Sequence, residues 1–135
     1  MDMSLKDLMQ AAEAARSNAY APYSRFCVGA ALLAKSGKVY CGCNIENAAY
    51  SPTVCAERVA FFQAVQQGEK EFLAIAVTGG KKGEKSSFCP PCGVCRQVMA
   101  EFCQPDFLVA LGNVEKWKVY QLSELLPKSF DNTHI

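Results

Sequence analysis

Two short stretches constrain this chain more than any other part of it: Thr53-Val54-Cys55-Ala56-Glu57-Arg58 and Pro90-Pro91-Cys92-Gly93-Val94-Cys95-Arg96. The first places a thiol two residues before a carboxylate. The second sets two thiols at C-x-x-C spacing, and each stretch opens a segment of helical character. Three thiolates leave one position of a tetrahedral zinc free, the arrangement of a catalytic site rather than of a closed structural one. The pattern predicts a zinc hydrolase whose open position carries an activated water, with Cys55, Cys92 and Cys95 as ligands.

Helix starts suit these sulfurs, because unpaired N–H groups and the positive end of the helix dipole favour thiolate over thiol. Three thiolates on a divalent ion still leave an excess negative charge that weakens it as a Lewis acid. Arg58 is placed to hydrogen-bond those sulfurs and offset that charge, or equally to form a surface ion pair. Glu57 lies about 200° around a helix from Cys55, which keeps it from chelating alongside. At an irregular first turn its carboxylate can still face the open metal position. There it would take a proton from a water whose pKa zinc lowers from about 15.7 to near 7, then return protons to the substrate. The bland alternative is a solvated first-turn carboxylate favoured by the dipole. C-x-x-C alone also fits a thiol redox pair, but that reading leaves Cys55 and Glu57 unexplained. A structural zinc would need a fourth ligand, for which Cys89 or His134 are the candidates, the latter in a tail expected to be mobile.

Eight cysteines in 135 residues would suggest a disulfide framework in a secreted chain. Met1-Asp2-Met3-Ser4-Leu5-Lys6 is not a secretory signal, so the expected location is the cytoplasm. Cys27, Cys41, Cys43 and Cys103 fall inside apolar strand or helix patterns and are expected to be reduced core residues. Cys89, three residues before Cys92, stays open between a spare thiol and a displaced ligand. A net charge of +1 leaves no electrostatic footprint for nucleic acid. No apolar run approaches membrane-spanning length, and the chain is expected to form one domain over residues 1–135.

Leu5, Leu8, Met9, Ala12 and Ala15 recur at helical spacing behind Ser4 as a cap. Phe26 to Ala34 and Val39 to Ile45 read as antiparallel strands joined by a turn at Lys35-Ser36-Gly37-Lys38. Gly29 and Gly42 inside them signal close backbone approach or a bulge. Asn44-Ile45-Glu46-Asn47-Ala48-Ala49-Tyr50 leaves the sheet as a polar loop suited to a hydroxyl-bearing ligand, or is merely a solvated turn. A buried helix is expected from a start at Ser51-Pro52-Thr53 through Gln67, and a strand from Leu73 to Thr78 ending at Gly79-Gly80. A second motif helix from Cys92, strands at Phe107–Leu111 and Trp117–Gln121, and a Ser123-capped turn at Glu124-Leu125-Leu126 complete the order. Both motif helices lie between strands, which suggests right-handed parallel crossovers. The expected fold is α/β: a three-layer α/β/α domain with a mixed five-stranded sheet.

Tyr20-Ala21-Pro22-Tyr23-Ser24, Phe26 through Ala31, Asn44 through Tyr50, Cys55-Ala56-Glu57-Arg58, Pro91 through Gln97 and Glu124-Leu125-Leu126-Pro127 together resemble the cytidine deaminase family. The likeness is to its small, homotetrameric, free-nucleoside branch. The zinc pieces are common to zinc-dependent deaminases, whereas the Asn-Ile-Glu-Asn segment is more specific to nucleoside binders. The resemblance implies hydrolytic removal of the 4-amino group of cytidine and deoxycytidine, in pyrimidine salvage. It implies one zinc per subunit on Cys55, Cys92 and Cys95, with Glu57 protonating first the ring nitrogen and then the leaving amine. It also implies that Asn44 and Glu46 grip the ribose 3′-hydroxyl, that Phe26 packs on the base and that the Ala56 N–H meets the base carbonyl. Arg58 would bond the ligand sulfurs, and Tyr50 and Phe130 would reach a neighbouring subunit's pocket in a homotetramer. The first ligand is Cys55, where the two-domain and deoxycytidylate branches use histidine. A blasticidin-type deaminase is the runner-up, disfavoured by the Asn-Ile-Glu-Asn loop. A polynucleotide deaminase is disfavoured by the low net charge, and a non-catalytic zinc module would need a closed metal site.

Overall fold

Ser4 caps the first helix: its hydroxyl accepts from the Asp7 N–H at 3.0 Å, and α1 runs over Leu5–Arg16. The structure, a computed structural model, describes residues 3–135; Met1 and Asp2, part of the segment read as lacking a secretory signal, lie outside the described residues. After α1 come β1 (Phe26–Ala34), β2 (Val39–Cys43), α2 (Ala56–Gln66), β3 (Phe72–Lys81), α3 (Gly93–Phe102), β4 (Leu108–Gly112), β5 (Trp117–Gln121) and the short α4 (Leu122–Leu125).

The five strands form one mixed sheet in the order β2-β1-β3-β4-β5. β1 pairs antiparallel with both β2 and β3, β4 with β5, and only β3 and β4 are parallel neighbours. The α3 crossover therefore joins adjacent parallel strands, as expected. The α2 connection also joins parallel strands, leaving β2 and returning at β3, but it passes over β1, which lies between them.

Strand alternation separates two cores. On β3, Ala74 and Ala76 face one side, where Leu8, Met9 and Ala12 of α1 pack on them with Ala31 and Ala110. Ile75 and Val77 face the other, against Phe61 of α2 and Met99 of α3. Small residues on the α1 side let that helix lie close to the sheet. The bulk is reserved for the opposite face, where Phe61 meets Phe72, Phe102 and Phe107 at centroid distances of 5.2, 6.2 and 6.1 Å. Full burial of such a ring contributes roughly 1.5–3 kcal/mol. Gly29 and Gly42 mark close approach rather than bulges. A Cβ on Gly29 would sit 2.0 Å from the Ala12 carbonyl oxygen, and one on Gly42 would sit 2.4 Å from that of Ala56.

Several boundaries depart from the sequence expectation, each for a local reason. β2 stops at Cys43, and Ile45 instead pairs its backbone with Val54 through two hydrogen bonds of 3.0 Å. That pairing keeps residues 51–54 out of the helix, so α2 starts at Ala56 with Cys55 in extended conformation as its N-cap. β3 continues through Gly79-Gly80-Lys81, because both glycines pair with β1. In α4 it is not Ser123 that caps: the Glu124 carboxylate reaches back to the Gln121 N–H at 2.7 Å. The carboxy-terminal segment ends in a 3-10 turn over Asn132–His134. All eight cysteines are free. Cys27 is buried and Cys43 and Cys103 half-buried, but Cys41 is exposed, since it lies on the edge strand β2 rather than in the core. No helix among the described residues is long and apolar enough to cross a membrane.

Candidate metal centre and adjoining cleft

Cys55 is the N-cap of α2 and Cys92 the N-cap of α3, both with extended backbone and neither using its side chain to cap. Their sulfurs therefore sit where two helices present unpaired N–H groups. Cys95, one turn into α3, is 1% exposed. Cys55 Sγ and Cys92 Sγ are 3.8 Å apart, Cys92 Sγ and Cys95 Sγ 3.6 Å, and all three lie within 4.8 Å of one another. The edge of a tetrahedron with Zn–S bonds of about 2.3 Å is roughly 3.8 Å, so the donor set fits zinc without rearrangement. Neither Cys89 nor His134 belongs to this group among the described residues. The His134 ring instead stacks on Phe130 at 5.3 Å, with Nδ1 beside Asp131.

The electrostatics favour a thiolate at Cys55. Its pKa is pulled down to about 5, first by the hydrogen bond from the Cys95 thiol and then by Arg58, whose Nη2 lies 3.4 Å from the sulfur. Cys95 moves the other way, held protonated by its bond to Cys55 and by burial. Arg58 bonds Cys55 Sγ through Nη2 and takes part in none of the ion pairs among the described residues, while its Nε is buried with no hydrogen-bond partner.

Glu57, on the first turn of α2, is 4% exposed. Burial pushes its pKa up to about 7, with a smaller push from the Cys55 charge. A carboxyl poised near neutrality is suited to both accepting and donating a proton.

Beside this group lie the ends of β1 and β2. Phe26, first residue of β1, is 36% exposed, and its ring packs over Gly79 beside Cys89. A Cβ on Gly79 would lie 3.0 Å from both Phe26 Cε2 and Cys89 Sγ. Cys89 is also close enough to Glu57 and Cys55 for their charges, after burial, to help push its thiol up to about 11. Asn44 and Glu46 stand where β2 has ended. Asn44 accepts from the Val28 N–H at 2.9 Å and donates to the Phe26 carbonyl at 2.8 Å. The Glu46 carboxylate accepts from the Tyr23 and Ser24 N–H groups at 3.0 and 3.1 Å and from the Ser24 hydroxyl, which together lower its pKa, the hydroxyl most. Tyr23, Ser24, Glu46, Asn47, Tyr50 and Thr53 line a cavity of about 300 Å³. Tyr50 is 76% exposed and Phe130 61%. Phe130 does not line that cavity; its carbonyl accepts from Gln97 of α3 at 2.7 Å. Ala56 is fully buried at the start of α2.

Two supports were not singled out from sequence. Arg96 Nε donates to the Pro91 carbonyl at 2.8 Å and Nη1 to the Leu125 carbonyl at 2.6 Å, tying the approach to Cys92 to α4. Ser24 links Glu46 to the Phe26 N–H, to which its hydroxyl oxygen is 3.0 Å away. Its only sequence signal is a place in the Tyr-Ala-Pro-Tyr-Ser stretch.

Residues 3–111 match the family model described as the cytidine and deoxycytidylate deaminase zinc-binding region. The chain is 50% identical over 132 residues to a cytidine deaminase of Sporosarcina psychrophila, covering 95% of this chain and 92% of that protein. It is 52% identical over 124 residues to a cytidine deaminase of Halalkalibacterium halodurans, covering 91% of each. Among solved structures, the cytidine deaminase of Burkholderia pseudomallei superposes with a TM-score of 0.86 at 48% identity, over 95% of this chain and 100% of that one. That of Mycobacterium tuberculosis gives 0.80 at 36% identity, over 96% and 98%.

Proposed function

This chain belongs to the zinc-binding cytidine and deoxycytidylate deaminase family, and from that membership we propose how it works as a zinc-dependent cytidine deaminase. The reaction is hydrolysis of cytidine and deoxycytidine: water adds at C4 of the base, ammonia leaves, and uridine or deoxyuridine results. The observation that carries this is three sulfurs within 4.8 Å of one another with a carboxylate, 4% exposed, two residues beyond the first.

Cys55, Cys92 and Cys95 would hold the zinc, which supplies the Lewis acidity that makes water a nucleophile at neutral pH. Arg58, bonded to Cys55 Sγ, offsets the surplus negative charge of the three sulfurs. Glu57 takes a proton from the attacking water and delivers it to the ring nitrogen beside C4. It then passes the second water proton to the departing amine, so the carboxylate ends as it began. Burial, which raises the pKa of this carboxyl, suits it to both transfers. The Ala56 N–H, unpaired at the start of α2, is the donor for the base carbonyl. The Phe26 ring provides the apolar wall for the base, Glu46 lines the adjoining cavity, and Asn44, bonded to the Phe26 carbonyl, joins it at the sugar end.

Tyr50 and Phe130 are largely exposed aromatics, which suits a homotetramer whose pockets are completed by neighbouring subunits. The chain acts as one domain over residues 1–135, in the cytoplasm, in pyrimidine salvage. Zinc-loaded protein mixed with cytidine should abolish the cytidine absorbance with equimolar release of ammonia. Unchanged cytidine, with zinc bound by four protein ligands, would instead identify a non-catalytic zinc module.

A further inference from the structure

In an antiparallel sheet, N–H and C=O of alternate residues face the same neighbour. On β1, Phe26 and Val28 both turn these groups toward β2, yet the last β1–β2 pair is Gly29 with Cys43. Beyond it β2 has ended, and four polar backbone groups would be left without a strand partner, a costly state for a half-buried sheet. The structure meets all four from two residues. The Val28 carbonyl accepts from the Asn44 N–H at 3.3 Å, and the Val28 N–H donates to Asn44 Oδ1 at 2.9 Å. The Phe26 carbonyl accepts from Asn44 Nδ2 at 2.8 Å. The Phe26 N–H donates to Ser24 Oγ, whose hydroxyl is in turn bonded to Glu46.

Only one orientation of the Asn44 amide satisfies both side-chain bonds, since oxygen must face an N–H and nitrogen a carbonyl. The amide thus replaces the missing peptide unit of β2, while Glu46 secures the other peptide of Phe26 through Ser24. The Phe26 ring, meanwhile, is seated on Gly79. We infer that Asn44 is a positioning residue that acts through Phe26, holding the ring against the base by clamping its backbone, beyond any contact Asn44 makes with the sugar. This rests on the deaminase reading, with Phe26 at the base.

A double-mutant cycle on the zinc-loaded enzyme tests it, with cytidine and 3′-deoxycytidine as substrates and kinetics normalised to zinc content. Asn44→Ala should lower kcat/KM roughly tenfold, the effect of one or two lost hydrogen bonds. A loss of several-fold should persist on 3′-deoxycytidine, because the clamp does not need the sugar hydroxyl. In a Phe26→Ala background, read on 3′-deoxycytidine, the same change should cost less than about twofold, since the group through which it acts is gone. A penalty that vanishes with 3′-deoxycytidine would overturn the inference and make Asn44 a sugar ligand only. A penalty retained in full in the Phe26→Ala background would overturn it as well. Should Asn44→Ala fail to fold, Asn44→Asp keeps the acceptor for Val28 and removes the donor to Phe26, and it enters the same cycle. Failure of the parent reading looks different: the unaltered enzyme would turn over neither nucleoside, or Phe26→Ala would cost nothing.

Discussion

The sulfur cluster and the neighbouring strand end are made in opposite ways. At the sulfur end, Cys55 and Cys92 are the N-caps of two helices, half-buried and exposed respectively, while Cys95 is 1% and Glu57 4% exposed, so every group is set by a helix start and two of them by burial as well. At the strand end, Phe26 opens β1 and Asn44, Glu46 and Tyr50 stand on the loop that follows β2, with Tyr50 76% exposed. The carboxylate with the raised pKa lies at the sulfur end, held by burial. At the strand end, side chains take over hydrogen bonds that β2 no longer makes.

The largest effect that can break this contrast belongs to Glu57. Glu57→Gln should lower kcat by about 10²–10⁴ while leaving zinc content at wild type, measured as metal per chain beside turnover. Near-normal turnover would remove Glu57 from the proton path. A smaller effect lies at the joint between the two ends. Gly79→Ala places a methyl 3.0 Å from Phe26 Cε2 and from Cys89 Sγ, and should cost about 1–3 kcal/mol of stability, read from chemical denaturation. It should also raise KM as the Phe26 ring is displaced. An unchanged KM would show that the ring's seat on Gly79 does not matter. The smallest effect is at Cys89. Because that thiol is outside the three-sulfur group, Cys89→Ala should keep one zinc per chain and change turnover less than about twofold. Loss of zinc would return it to the ligand set.

Much of this was legible without coordinates, and the reason is local. The spacing of Cys55 to Glu57 and of Cys92 to Cys95, each followed by a helical pattern, encodes groups held by a single helix start. The alternation in β3 and the apolar face of α1 likewise announce which side is buried. Boundaries misread from sequence share one cause. Pro52 looked like a first-turn proline, but Val54 pairs with Ile45 and delays α2 to Ala56. Gly79-Gly80 looked like a strand end, but both pair with β1. In each case a partner distant in sequence overrode a local signal.

By itself, the sequence determined the chemistry available: three thiols and a carboxylate at helix starts, with alternating strands to bury them, since these depend on residues within a turn or two of each other. Tertiary structure alone decided that the sulfurs at positions 55 and 92 meet at 3.8 Å, and that β1 lies between β2 and β3. It also decided that an asparagine side chain continues a strand where the backbone has departed. Those outcomes depend on long-range pairing and on which backbone groups are left without partners, and no short-range pattern carries that information.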